Sequence, residues 1–164
     1  MAMRERGLIE ALVGRLLRER RWRLSVAESC TGGLVLHRLT NIPGASAYVD
    51  RGVICYNNAS KIEWLGVPEA TVQRHGAVSS QTARAMARGI RTASRTELGL
   101  AVSGIAGPGG GTRRKPVGLV YVALATARRT LCRAYRCTGG REQIKTQAST
   151  RALDLVCRYL SRAA

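Results

Sequence analysis

Apolar residues recur first at helical spacing. Leu8, Leu12 and Leu16, flanked by Ile9, Val13 and Leu17, fall along one side of a 3.6-residue spiral and predict an amphipathic helix through about Arg20. The period then changes. R-L-S-V-A-E, residues 23–28, predicts a short strand, and the T-G-G beyond it leads into a second helix, L-V-L-H-R-L, closed by N-I-P-G. A second strand is expected over residues 47–56, A-Y-V-D-R-G-V-I-C-Y, followed by N-N-A-S-K, where either Asn57 or Asn58 can cap a short helix ending at L-G-V-P. Val78, Thr82, Met86 and Ile90 repeat every fourth residue and mark a longer helix. Three strands are predicted after it: L-G-L-A-V-S, V-G-L-V-Y-V-A-L-A and L-C-R-A-Y-R-C. T-A-R-R joins the last two as a hairpin. Ile144, Ala148, Ala152, Leu155 and Tyr159 then lay one apolar stripe along a C-terminal helix. Helices before, between and after about five strands imply an α/β protein, a three-layer α/β/α sandwich. Its sheet must be mixed, because so short a turn joins only antiparallel neighbours.

Length and composition narrow this picture. With 164 residues, 45% of them hydrophobic, the chain reads as a single folded domain over 1–164. The first residues, M-A-M-R-E-R-G, are too polar for a signal peptide, and no apolar run is long enough to span a bilayer; a cytoplasmic protein without a membrane partner is expected. Cys30, Cys55, Cys132, Cys137 and Cys157 form no CxxC pair and accompany only two histidines, so they read as reduced thiols and not as a zinc site. A formal charge of +17 raises nucleic acid as a partner. Against it, only three of the 27 basic residues are lysine, the arginines are scattered over every segment, and Phe is absent. With few rings for base stacking, a nucleic-acid role is disfavoured, and an anionic small substrate suits the charge equally well.

Three segments hold candidate chemistry. A-E-S-C-T-G-G, residues 27–33, sits at a strand end and a helix start, where open α/β sheets bind ligands and unpaired N–H groups attract anions. Ser29 is a candidate nucleophile there, with the amides of Cys30, Thr31, Gly32 and Gly33 as a candidate oxyanion hole. On spacing alone, the simpler reading is that Ser29 or Thr31 caps the helix. Neither His37 nor His75 is tied to Ser29 by a local motif, so a triad or a Cys30–His pair lacks support. Lys61 is the other candidate base: a first helical turn and desolvation both disfavour its ammonium form, and nearby Tyr56 can relay a proton. The run S-G-I-A-G-P-G-G-G-T, residues 103–112, fits neither a Walker loop nor a dinucleotide fingerprint. It can still cradle a phosphate or ribose, or be a plain loop, and Arg113, Arg114 and Lys115 follow it.

Taken together, A-E-S-C-T-G-G, P-G-A-S-A-Y, D-R-G-V-I-C-Y-N-N-A-S-K, G-A-V-S-S-Q-T-A and S-G-I-A-G-P-G-G-G-T with K-P-V-G-L-V-Y-V stand in the order and spacing of one family. Over about residues 7–160 the chain resembles the CinA C-terminal domain family, the nicotinamide mononucleotide deamidases. The resemblance implies an α/β/α sandwich that needs no metal or cofactor and self-associates as a dimer. It implies hydrolysis of the carboxamide of nicotinamide mononucleotide to the acid, releasing ammonia, with Ser29, Tyr56 and Lys61 as the catalytic set. Substrate contacts would come from Cys30, Thr31, Gly32, Gly33, Ser103, Gly104, Gly107, Gly109, Gly110 and Arg141. The chain departs from the family pattern at Asn58, where an acidic residue is frequent, at Arg113 and Arg114, and in G-G-R-E-Q-I-K, where Gly140 replaces an aspartate. The competing reading is an inactive relative that holds a nucleotide or an acidic partner through its arginines.

Overall fold

A computed structural model describes residues 9–162. Helix α1 (Ile9–Arg20) leads into strand β1 (Leu24–Glu28) and helix α2 (Leu34–Thr40). After a 3-10 turn come β2 (Val49–Ile54), α3 (Asn58–Leu65), α4 (Glu69–His75) and α5 (Ser80–Ser94). The chain closes with β3 (Leu98–Gly104), β4 (Leu119–Ala125), β5 (Thr130–Arg136) and α6 (Arg141–Arg162). The five strands form one sheet in the order β2-β1-β3-β4-β5. β1 runs parallel to both β2 and β3, while β4 and β5 are antiparallel to their neighbours. The expected mixed-sheet α/β/α sandwich is what forms.

Alternation along the strands decides which helices cover which face. Val26, Leu100, Val102, Val120 and Val122 point to one side and make a core with α1, α2 and α6. The opposite side of the same strands is small: Ala27, Ala101, Ala123 and Ala125 meet Ala83, Met86 and Ile90 of α5. Small residues there let α5 sit close to the sheet. A Cβ at Gly99 would collide with the carbonyl oxygen of Ala87, so this approach requires glycine on β3.

Several boundaries differ from those expected. Ser79 caps α5, its Oγ accepting from the Thr82 N–H at 3.2 Å, so Val78 lies outside the helix whose stripe it extended. Helix α4 was not expected, and His75 is its last residue. Of the two candidate asparagines, Asn57 caps α3 through a 2.8 Å bond from the Ser60 N–H. Leu8, counted in the first apolar stripe, lies outside the described residues. Among the described residues no helix is long and apolar enough to cross a membrane.

Candidate active site

The carboxyl ends of the three parallel strands converge on Ser29, the residue just past β1. The sheet ladder continues beyond the strands: the Ser29 N–H donates to Val102 O at 3.0 Å, and the Cys55 N–H donates to Glu28 O at 2.8 Å. The serine backbone is thereby held between β2 and β3. Its hydroxyl oxygen lies 3.1 Å from the Nζ of Lys61, which comes from the first turns of α3.

Lys61 is 1% exposed. Its Nζ donates to Cys55 O at 2.7 Å and lies 3.3 and 3.4 Å from the carbonyl oxygens of Asn57 and Tyr56. None of the ion pairs among the described residues involves it. A buried amine facing carbonyls and a hydroxyl, without a carboxylate, loses hydration that nothing anionic replaces. Desolvation therefore draws its pKa below the ordinary lysine value. The neutral amine has two N–H groups for the carbonyls and one lone pair, and the remaining neighbour is the Ser29 hydroxyl. Serine and lysine thus form a donor–acceptor pair shielded from water.

Cys30, next in the chain, is 5% exposed, and burial pushes its thiol up to about 12. It stays protonated near neutral pH and is a poor nucleophile. Neither histidine offers an alternative base. The ring of His37 is hydrogen-bonded to Asn41 at 3.2 Å, the backbone carbonyl of His75 accepts from Lys115, and no hydrogen bond among the described residues joins either histidine to Ser29.

The turn after Ser29 is organised by a residue the sequence reading passed over. The buried carboxylate of Glu28 accepts from the N–H groups of Gly33, Val35 and Leu36 at 3.0, 3.2 and 2.9 Å, which caps α2. Neither Ser29 nor Thr31 serves as the cap. The Gly32 N–H turns back to Ser29 O at 3.1 Å, so two of the four candidate oxyanion amides are already engaged. No backbone carbonyl among the described residues accepts from the N–H groups of Cys30 and Thr31. The Thr31 hydroxyl, fully buried, also has no partner among them.

Tyr56 does not stand between lysine and serine. It offers Lys61 its carbonyl, while its hydroxyl, on a side chain 59% exposed, accepts from Arg141 at 2.6 Å. The same guanidinium donates to Gly107 O at 2.6 Å. Tyr56, Arg141 and the glycine loop therefore form one connected rim. Lys145, one turn after Arg141 on α6, adds a second cation: a methyl placed on Gly32 would lie 3.5 Å from its Nζ. Its spacing of four from Arg141, which puts both on one face of α6, is legible in the sequence.

The glycine loop divides by role. A Cβ on Gly107 or Gly111 would press into Val117, and one on Gly104 into β4. Those glycines serve the loop's own packing. Gly109 faces open space, and Gly110 has only Ile105 at 3.9 Å, which leaves their backbone approachable. Ser103 directs its hydroxyl away, donating to Ala77 O at 2.8 Å, and fastens β3 to the segment before α5. Among the described residues there is no group of three or more His, Cys, Asp or Glu able to hold a metal ion.

Fold and site together define an α/β/α sandwich with a buried serine–lysine pair at the carboxyl ends of parallel strands. The chain belongs to the CinA C-terminal domain family, whose profile matches residues 7–160. It is 52% identical over 154 residues to a CinA-like protein of Syntrophus aciditrophicus, covering 93% of this chain but 37% of that one. The chain therefore spans little more than a third of the curated relatives it matches. A CinA superfamily structure from Klebsiella pneumoniae superposes with a TM-score of 0.91 at 33% identity, covering 94% of this chain and 96% of that one. The competence/damage inducible protein CihA from Agrobacterium tumefaciens gives 0.87 at 43% identity, with coverages of 93% and 95%.

Proposed function

We propose that this chain is an amidohydrolase that converts nicotinamide mononucleotide to nicotinic acid mononucleotide and ammonia. The observation that carries the proposal is the water-shielded contact of 3.1 Å between Ser29 Oγ and Lys61 Nζ. The neutral Lys61 takes the hydroxyl proton as Ser29 Oγ attacks the carboxamide carbon, forming a C–O bond and a tetrahedral oxyanion. The amides of Cys30 and Thr31, taken up by no backbone carbonyl, hold that charge. The carbonyl oxygens of Cys55, Tyr56 and Asn57 then face an ammonium, which they stabilise. Its proton passes to the leaving nitrogen as the C–N bond breaks, giving ammonia and a seryl ester. Water, deprotonated by the same amine, cleaves the ester and frees Ser29.

The rim supports the nucleotide as substrate. Arg141 and Lys145 supply positive charge, and the open space beside Gly109 and Gly110 gives a phosphate room to approach their backbone. Exposed Ile54 and Tyr56 offer apolar surface to the pyridine ring. Association into a dimer belongs to the same proposal. The test is release of ammonia and of the carboxylic acid product from nicotinamide mononucleotide by the purified chain, with Ser29→Ala as control. Absence of both products from the wild-type protein would overturn it.

A further inference from the structure

A groove of about 770 Å³ lies between β5 and the C-terminal half of α6. It lies on β5, the edge of the sheet three strands away from β1 and Ser29, and its hairpin end is also distant along the strands. In the antiparallel β3–β4 pair, Gly104 faces Val120 at the Ser29 end and Gly99 faces Ala125 at the other, so the turn after Ala125 is at the far edge of the sheet. Arg128, Arg129, Arg133, Arg151, Arg158 and Arg162 line the groove, and its one carboxylate is that of Asp154.

Asp154 is already spent on Arg158 at 2.8 Å. Arg151 lies over the ring of Tyr135 at 5.5 Å, and Arg133 reaches only the neighbouring Cys132 carbonyl at 3.3 Å. The guanidinium groups of Arg128 and Arg129 take part in no hydrogen bond or ion pair among the described residues. The dipole of α6 accounts for cations in its last turn but not for those of the hairpin. Gathering so many like charges around one concavity opposes folding unless an anion joins them.

We propose that this groove is a second binding site, which takes a compact polyphosphate. Guanidinium groups match phosphate oxygens in pairs, and the volume is that of a small-molecule pocket. A nucleic-acid strand fits less well because it needs free rings to stack on. Here Tyr135 is covered by Arg151, and Tyr159 is stacked on Trp22 with centroids 6.4 Å apart.

Calorimetric titration of the full chain with inorganic tripolyphosphate tests the site. With the active-site rim weakened by Arg141→Ala, one equivalent should still bind, with affinity falling as salt rises. The double variant Arg133→Ala/Arg151→Ala should weaken binding about tenfold or more. Arg88→Ala, on the exposed side of α5 across the sheet, should leave it unchanged. Circular dichroism establishes that each variant is folded, and Arg133→Lys/Arg151→Lys, which keeps the charge, should recover part of the loss. A parallel titration with adenosine triphosphate separates the two sources of the chemistry: equal affinity points to the phosphates alone, tighter binding to a nucleotide. The proposal is overturned if tripolyphosphate does not bind at millimolar concentration, or if Arg141→Ala abolishes binding while the groove variant does not. It is also overturned if a thymidine oligonucleotide occupies the groove more tightly than either probe.

Discussion

Ser29 and Cys30 are neighbours of similar burial, and what separates them is the amine. Lys61 stands against the serine oxygen, while burial holds the thiol up to about 12. Ser29→Ala should therefore lower the rate of ammonia release at least ~1000-fold, whereas Cys30→Ser should keep most of it. The reverse result would make the thiol the nucleophile. The rate should climb with pH through an ionisation below the ordinary lysine range and then level off, because only the neutral amine accepts the proton. Stability should carry the same signature. Between the lowered pKa and the ordinary 10.5, the unfolded chain holds a proton that the native one lacks, so this residue's contribution rises with pH across that window. Below the lowered value both states are charged and the full penalty remains. Buried thiols act in the opposite sense at alkaline pH, so urea unfolding of the wild type must be compared with Lys61→Met, which should lack this rise and be inactive. Lysine in Y-N-N-A-S-K was legible as a candidate base because its helix position could be read. Its depth could not, since it follows from three carbonyls brought in by the segment Cys55–Asn57, and the same folding turns the Tyr56 hydroxyl out to Arg141.

At the level of elements, Glu28 and Gly89 set where the catalytic candidates stand. The buried Glu28 carboxylate satisfies three N–H groups at the start of α2. Glu28→Ala should cost about 3 kcal/mol in chemical unfolding and lower activity by loosening the Ser29–Gly33 turn. A loss within experimental error would mean that the turn holds itself. Gly89 of α5 lies against Leu65, the last residue of α3, and a Cβ there would strike the Leu65 carbonyl. Gly89→Ala should destabilise by about 1–3 kcal/mol despite alanine's better helix propensity, and should reduce kcat by shifting the helix that carries Lys61. Local rules found most elements because their apolar periods are regular. They missed this cap because capping statistics consider the residue at the helix boundary, and Glu28 lies on the preceding strand. They missed α4 because its seven residues include one buried apolar side chain, Val72, too little for a visible stripe.

On the scale of the whole molecule, topology and charge matter most. The hairpin over T-A-R-R announced a mixed sheet, but the place of β1 between β2 and β3 is set by crossovers that no local pattern encodes. A formal charge of +17 acts at long range on an anionic substrate. For nicotinamide mononucleotide, kcat/KM should fall as ionic strength rises, and the nucleoside without its phosphate should be a poorer substrate with a flatter salt dependence. Equal kcat/KM and equal salt slopes for the two would remove the phosphate from the account of binding.

The ladder bonds that run past the ends of β1 and β2 couple the serine's position to the survival of the sheet. Amides such as those of Ser29 and Cys55, donated to Val102 and Glu28, exchange with solvent only when neighbouring strands part. Deuterium uptake at these two positions should be as slow as in the middle of β3. Heat inactivation should then coincide with loss of the far-ultraviolet dichroism instead of preceding it. The protein would tire all at once, with no interval in which it is still folded but its serine has already wandered.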